Sequence, residues 1–375
     1  MRYEFAADEA FPRDAHALTA QARLAVETSL TKRIDALVEG EFVGAIVDDF
    51  NDASGGPPSS DEIGRPFVVD PNTAELNRFQ LSAELAPNAR ATVGRQRLSI
   101  DEERFLGRVA FRQNEQTFDA VRFEAEPVAG AFVDVGYFRR VNRIFGGDSD
   151  AGAFRGDSYF VNAGATTPIG RFTFFRYAFD LELAPGEVNP TLEDLASSVT
   201  TGGRWNERWG WRDGHLALRA AYARQREFAD APIAYDANYW LGAAEARFGR
   251  LTGEFRYEIL SAGGGRAFQA PLGTLHKFQG FADVFLVTPD VGIVDASIGA
   301  RVRFGSAGPF RGVGAFARGH AFEAEDGGAR LGREIDFGVS ATVAGVKASL
   351  VAAFYDADAF GTDTERFWAT LSRRF

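Results

Sequence analysis

Val294-Asp295-Ala296-Ser297-Ile298-Gly299-Ala300-Arg301-Val302-Arg303-Phe304 sets apolar side chains at every second position from Val294 to Phe304, with Asp295, Arg301 and Arg303 between them. Successive side chains of a β-strand point to opposite faces, so the stretch reads as a strand with one apolar and one charged face. The pattern recurs from end to end. Ile34, Ala36, Val38, Gly40, Phe42, Gly44 and Ile46 oppose Asp35, Glu39 and Glu41. Phe175, Tyr177, Phe179, Leu181 and Leu183 oppose Arg176, Asp180 and Glu182; Leu251 to Ile259 and Ile335 to Val343 behave in the same way.

These segments run to roughly ten residues or more, close to what a tilted strand needs to cross a hydrocarbon layer, whereas strands of soluble sandwiches usually stop at about five or six. Connections give an independent test. Short breaks at Thr31-Lys32, Pro87-Asn88, Pro127 to Gly130, Pro168 to Gly170, Arg212 to Gly214, Gly249-Arg250, Gly305 to Gly308 and Ala344-Gly345 alternate with longer polar ones, among them Asp48 to Thr73, Ser99 to Gln116 and Ser261 to Asp290. A membrane barrel has this rhythm, with tight periplasmic turns and long extracellular loops. The expected fold is an all-β, transmembrane antiparallel β-barrel of about 18 strands, one domain over residues 1–375, with its first strand near Arg2 to Ala7. Lys277 to Val287 could pass for a further strand, but an odd count would break the parity, so it is assigned to an outer loop folded toward the pore.

The chain ends on Phe375, after Phe367, Ala369 and Leu371 on one face. A terminal strand closing on an outward aromatic looks like the signal read by bacterial barrel-insertion machinery, which makes the barrel-assembly machinery, outer-membrane lipid and lipopolysaccharide expected partners and the outer membrane of a Gram-negative cell the expected location. Composition is compatible: 375 residues with 35 Phe, 41 Gly and no Cys, which suits an oxidising periplasm. The net charge of −11 argues against a nucleic-acid partner. No apolar run approaches the ~20 residues of a transmembrane helix. The start, Met1 to Phe5, has neither the charged nor the apolar region of a signal peptide, so a mature form with its leader replaced by Met1 is expected. Trp205, Trp209, Trp211, Trp368 and Tyr355 are expected in interfacial girdles.

One segment goes beyond periodicity: Gly94-Arg95-Gln96-Arg97, then Asp101 to Phe105, then Arg112 to Arg122 with Phe118-Asp119-Ala120-Val121-Arg122. It resembles the alginate-export family of outer-membrane proteins. His276 to Asp283 with Thr288-Pro289, and Arg139 to Gly146, look like further blocks of that family. The resemblance implies an 18-stranded monomeric barrel passing an anionic polysaccharide such as an alginate-like polyuronate through an arginine-lined constriction. Fixed arginines suit such cargo, because a guanidinium stays charged and pairs with a carboxylate bidentately.

Pore residues expected from alternation are Arg122, Arg140, Arg176, Arg204, Arg219, Arg256, Arg301 and Arg303; the motif adds Arg95, and the inward loop adds Lys277 and Asp283. For each of these, a structural network across the lumen is the alternative to solute contact. Gly312 to Ala317 loosely matches a dinucleotide fingerprint but lies within an alternating segment, and the four histidines form no zinc or triad signature. No cofactor, metal or catalytic group is expected. Three functions follow: a passive channel for anionic saccharides or, more generally, small polar solutes; an outer-membrane enzyme such as a barrel lipase; and an adhesin or scaffold acting through acidic loops.

Overall fold

A computed structural model describes residues 1–53, 62–183 and 197–375. The strands are β1 (Arg2–Asp8), β2 (Ala15–Thr31), β3 (Ile34–Asp49), β4 (Thr73–Ala86), β5 (Ala89–Gln96) and β6 (Thr117–Ala125). They continue as β7 (Ala131–Asn142), β8 (Ala153–Thr167), β9 (Gly170–Phe179), β10 (Ser198–Trp211), β11 (Gly214–Glu227) and β12 (Asp236–Phe248). The last six are β13 (Leu251–Leu260), β14 (Ile293–Ala307), β15 (Phe310–Glu323), β16 (Arg330–Val343), β17 (Val346–Ala357) and β18 (Thr364–Ser372). All 18 pair antiparallel with their sequence neighbours, and β18 pairs with β1, setting Phe367 opposite Phe5. Closure leaves no sheet edge unpaired, which a lipid environment requires. No helix among the described residues is long and apolar enough to cross a membrane.

Alternation fixes the wall. Ile298, Ile335, Phe337, Val339, Phe255 and Leu350 stand exposed on the outside, as their neighbours in sequence turn inward. Trp209 and Trp211 also face outward, beside the β10–β11 turn, as a girdle would. Trp205 lies across from Phe172 of β9, its indole donating to the Ile169 carbonyl at 2.8 Å. Trp368 and Tyr355, expected in a girdle, are buried on the inner side instead: Trp368 packs edge-on to Phe111 and Tyr355 edge-on to Phe285. Phe375 lies three residues beyond the last β18 residue, fully exposed, with the Arg373 guanidinium over its ring.

The interior is filled by two connections, 97–116 and 261–292, which pack against the strand ends they join, and the Lys277–Val287 stretch is a loop entered through a short 3-10 turn at Leu275–Lys277. A parallel bridge between Leu106 and Leu272 zips them together, with Gly107 N–H donating to the Leu272 carbonyl at 2.8 Å and Thr274 N–H to the Glu103 carbonyl at 2.9 Å. Leu98, Phe105 and Leu106 from one loop and Phe268 and Phe285 from the other form a buried core with Phe118, Phe175, Tyr177 and Tyr239 of the wall. Each large apolar side chain so buried contributes about 1.5–3 kcal/mol, which holds these loops inside the barrel. On β9 this inverts the expected faces. Phe175, Tyr177 and Phe179 point inward against Phe105 and Phe138, whereas Phe172, Phe174 and Arg176 point outward. The 184–196 part of the β9–β10 connection and 54–61, in the acidic β3–β4 connection, lie outside the described residues.

Candidate pore constriction

Three of the charged networks inside the barrel each join the 97–116 loop to the wall. The first is centred on Glu4 of β1. Its carboxylate accepts from Arg112 of the 97–116 loop at 3.3 Å and from Arg366 of β18 at 3.1 Å, and it lies 3.5 Å from Arg2. Arg2 is also bonded to Asp70, and Arg112 reaches Asp283 of the second loop at 3.1 Å. His276 completes the set, 2.8 Å from Asp283 and stacked between Phe111 and Phe281. Every member is nearly or wholly removed from solvent. Asp283, expected to meet solute, is therefore an anchor.

Burial alone would raise the Asp283 carboxyl; His276, then Arg112 and Arg366, outweigh it and hold it at about 2. A carboxylate depressed in the folded state stabilises above its unfolded value of about 3.9, and that contribution is lost as pH falls through the folded value. The tie between the loops is expected to hold at pH 5 and to weaken between about pH 4 and pH 2. Protease nicking within 261–292 across an acid titration measures this; loosening that began on the alkaline side would contradict it.

The second network surrounds the 101–104 segment. Asp101 pairs with Arg204, Glu102 with Arg219 at 3.0 Å and Arg256 at 3.4 Å, and the buried Arg104 with Glu258 at 2.9 Å. Arg204, Arg219 and Arg256 thus face the lumen as alternation implies, but loop carboxylates neutralise them. Lys277 is half exposed and ion-paired to Glu103. Burial would raise the Glu103 carboxyl, but hydrogen bonds from Lys277, Ser99 and Thr274 outweigh it and hold it below the usual range.

The third network presents positive charge to the lumen. Arg78, Arg90, Arg97 and Arg122 line a cleft of about 420 Å³ along β4–β6 with Gln80, Ser82, Thr92, Gln96 and Glu124. Arg78 pairs with Glu39 at 2.6 Å, Arg97 with Glu39 at 2.6 Å and with Glu115, and Arg122 with Asp134 at 2.6 Å. These acceptors lie deeper than the arginines: Glu39 and Glu115 are 7% and 0% exposed, against 18–20% for Arg78 and Arg97. Arg23 of β2 repeats the arrangement with Glu41 and Glu115. A solute in the cleft meets guanidinium groups backed by carboxylates that hold them in place, which suits brief bidentate contact with an anion. Arg301 and Arg303 lie on the inner face of β14, exposed toward its periplasmic end.

Three expected pore residues face the other way. Arg95 pairs outside the barrel with Asp119 at 2.7 Å, because Thr92 and Gln96 take the inner face of β5 while Val93 and Arg95 share the outer one. Arg140 lies across from Asp119 on β7, where a bulge at Arg139 resets the alternation, and its guanidinium donates to Asn142 at 2.8 Å. Arg176 is outward because the aromatics of β9 are inward; it donates to Thr201 at 3.1 Å. Arg23, Arg78, Arg90 and Arg97 are the arginines in or beside the cleft that alternation did not single out. Arg78 carried a usable signal, since Arg78, Gln80, Ser82 and Glu84 alternate with Phe79, Leu81 and Leu85. Arg97 lies one residue past β5, where no period applies.

No protein-family profile matches the sequence, and no curated protein matches it either. Solved structures match over nearly the whole chain. Pseudomonas aeruginosa OccK9 (OpdG) superposes with a TM-score of 0.72 at 14% identity, covering 98% of this chain and 95% of its own. Pseudomonas aeruginosa OpdK with vanillate gives 0.68 at 13% identity, over 99% and 95%. Pseudomonas aeruginosa OccK2 (OpdF) in complex with glucuronate gives 0.65 at 14% identity, over 98% and 95%. The fold is therefore the closed 18-stranded barrel of Gram-negative outer-membrane porins. The alginate-export resemblance carries over only in its coarser part, the barrel.

Proposed function

We propose that the chain is a passive outer-membrane channel for small polar solutes bearing a carboxylate. The observation that carries this reading is the cleft with four arginines and one carboxylate on its lining, set beside two loops that narrow the lumen. Solute identity would be read by charge and width, with no covalent step. Two barrels of the same fold hold carboxylates, vanillate and glucuronate, which supports the solute class. The polyuronate conduit implied by the motifs is a narrower form of the reading; loops packed across the interior favour a single sugar-sized anion over a continuous chain.

Single-channel recording of the folded protein in planar bilayers tests the proposal. Conductance with anion preference is expected, blocked by uronate more than by a neutral sugar. Arg122→Ala is expected to lower the anion preference, and Arg176→Ala, on the outer wall, to leave the reversal potential in a salt gradient unchanged. A folded barrel with no conductance would sink the channel reading.

A further inference from the structure

Arg140 of β7 and Arg155 of β8 are direct cross-strand partners on the outer wall of the barrel, at the extracellular ends of both strands. Like charges placed opposite each other in a sheet repel and destabilise the pair. Their neighbours, Asp119 and Glu75 beside Arg140, relieve this only in part. Asp119, across from Arg140 on the other side, has both oxygens engaged by Arg95, at 2.7 and 3.2 Å. Asp157 is taken up by Arg139 at 3.2 Å and by the Tyr137 hydroxyl. Among the described residues neither Arg140 nor Arg155 has a carboxylate within ion-pair distance, and Arg155 is exposed. Glu182 meets Arg155 through a backbone bridge without an ion pair.

The level of the pair is set by the register. Tyr137 and Tyr159 are partners one to two turns of pleat closer to the membrane centre, both outward and exposed, as interfacial aromatics are. Two guanidinium groups above such a girdle stand where lipid headgroups lie. A planar cation fork pairs with phosphate bidentately, and one phosphate between the two arginines would convert repulsion into attraction.

We propose that Arg140 and Arg155 bind a phosphate of an outer-leaflet phosphorylated glycolipid, the lipopolysaccharide class, on the outside of the barrel. The inference rests on the outer-membrane reading but not on any solute of the pore. Native mass spectrometry of the detergent-solubilised chain with bisphosphorylated lipid A tests it. Wild type is expected to retain the lipid; Arg140→Gln with Arg155→Gln is expected to bind it at least about tenfold more weakly. Arg333→Gln, outward on β16, is expected to match wild type. Arg155→Gln alone keeps the test open if the double variant does not fold. Equal retention by wild type and variant, equal retention of dephosphorylated lipid, or inorganic phosphate binding in preference to lipid would each overturn the proposal. Bilayer conductance, recorded on the same preparations, is expected to be equal in wild type and variant. Its absence from both would fault the channel reading and leave the lipid result standing.

Discussion

Arg112→Ala is expected to open the pore. Among the described residues, Arg112 is the side chain that ties the 97–116 loop to both the β1 carboxylate Glu4 and the second loop's Asp283. In the buried set Arg2, Arg112 and Arg366 face Glu4, Asp70 and Asp283, with His276 beside them. Removing this cation leaves Glu4 to Arg2 and Arg366 and Asp283 to His276, so the buried carboxylates lose a shared counter-charge; breaking a buried ion pair costs up to about 3–5 kcal/mol. The barrel wall has its own closed hydrogen-bond ladder, so the strain falls on the loops, which hold fewer backbone bonds. Single-channel conductance should rise severalfold and 97–116 should become protease-sensitive, while the barrel still migrates as a folded species. Arg112→Lys should not restore closure, because an ammonium cannot present the same planar fork to both carboxylates. Unchanged conductance in a folded Arg112→Ala barrel would show that apolar packing alone seats the loops.

Replacing Arg78, Arg97 and Arg122 together by Gln should reverse the ion preference. Around the cleft, Arg23, Arg78, Arg90, Arg97 and Arg122 stand with Glu39, Glu41, Glu115, Glu124 and Asp134, so the sum of charge is close to balanced. Anion preference then depends on position, with guanidinium groups at the lumen surface and most carboxylates behind them. Neutralising three arginines exposes the carboxylates, and the permeability ratio is expected to change by more than about tenfold, or about 1.4 kcal/mol. The reversal potential in a salt gradient reports the change as an inversion of sign. A triple variant that stayed anion-selective would move the filter to Arg301 and Arg303.

Much of this molecule is legible in one dimension. A period of two over segments long enough to span a bilayer, with short and long breaks in strict alternation, places the strands to within a few residues. It also fixes the even count, and with it the pairing of β18 with β1. Those features are local, because the pleat turns each side chain by a half-turn and a tight turn needs only its own residues. Parity, with the long periplasmic connection that a further strand would leave, placed Lys277–Val287 in a loop.

What tertiary structure decided is which face is which. Alternation separates apolar from polar positions, but it cannot distinguish lipid from a packed interior, since both accept Phe. On β9 the loop residue Phe105 makes the lumen side apolar, so Phe175 and Tyr177 turn inward and Arg176 goes outside. A single bulge at Arg139 sends Arg140 the same way, and the motif arginine in the pore is Arg97, beyond the strand, not Arg95 within it. The sequence by itself determined the barrel, because backbone pairing in a membrane leaves few alternatives. The charge lining the lumen was settled by contacts between different elements, some more than fifty positions apart, such as Arg97 with Glu39 and Arg112 with Glu4, and no local period encodes those.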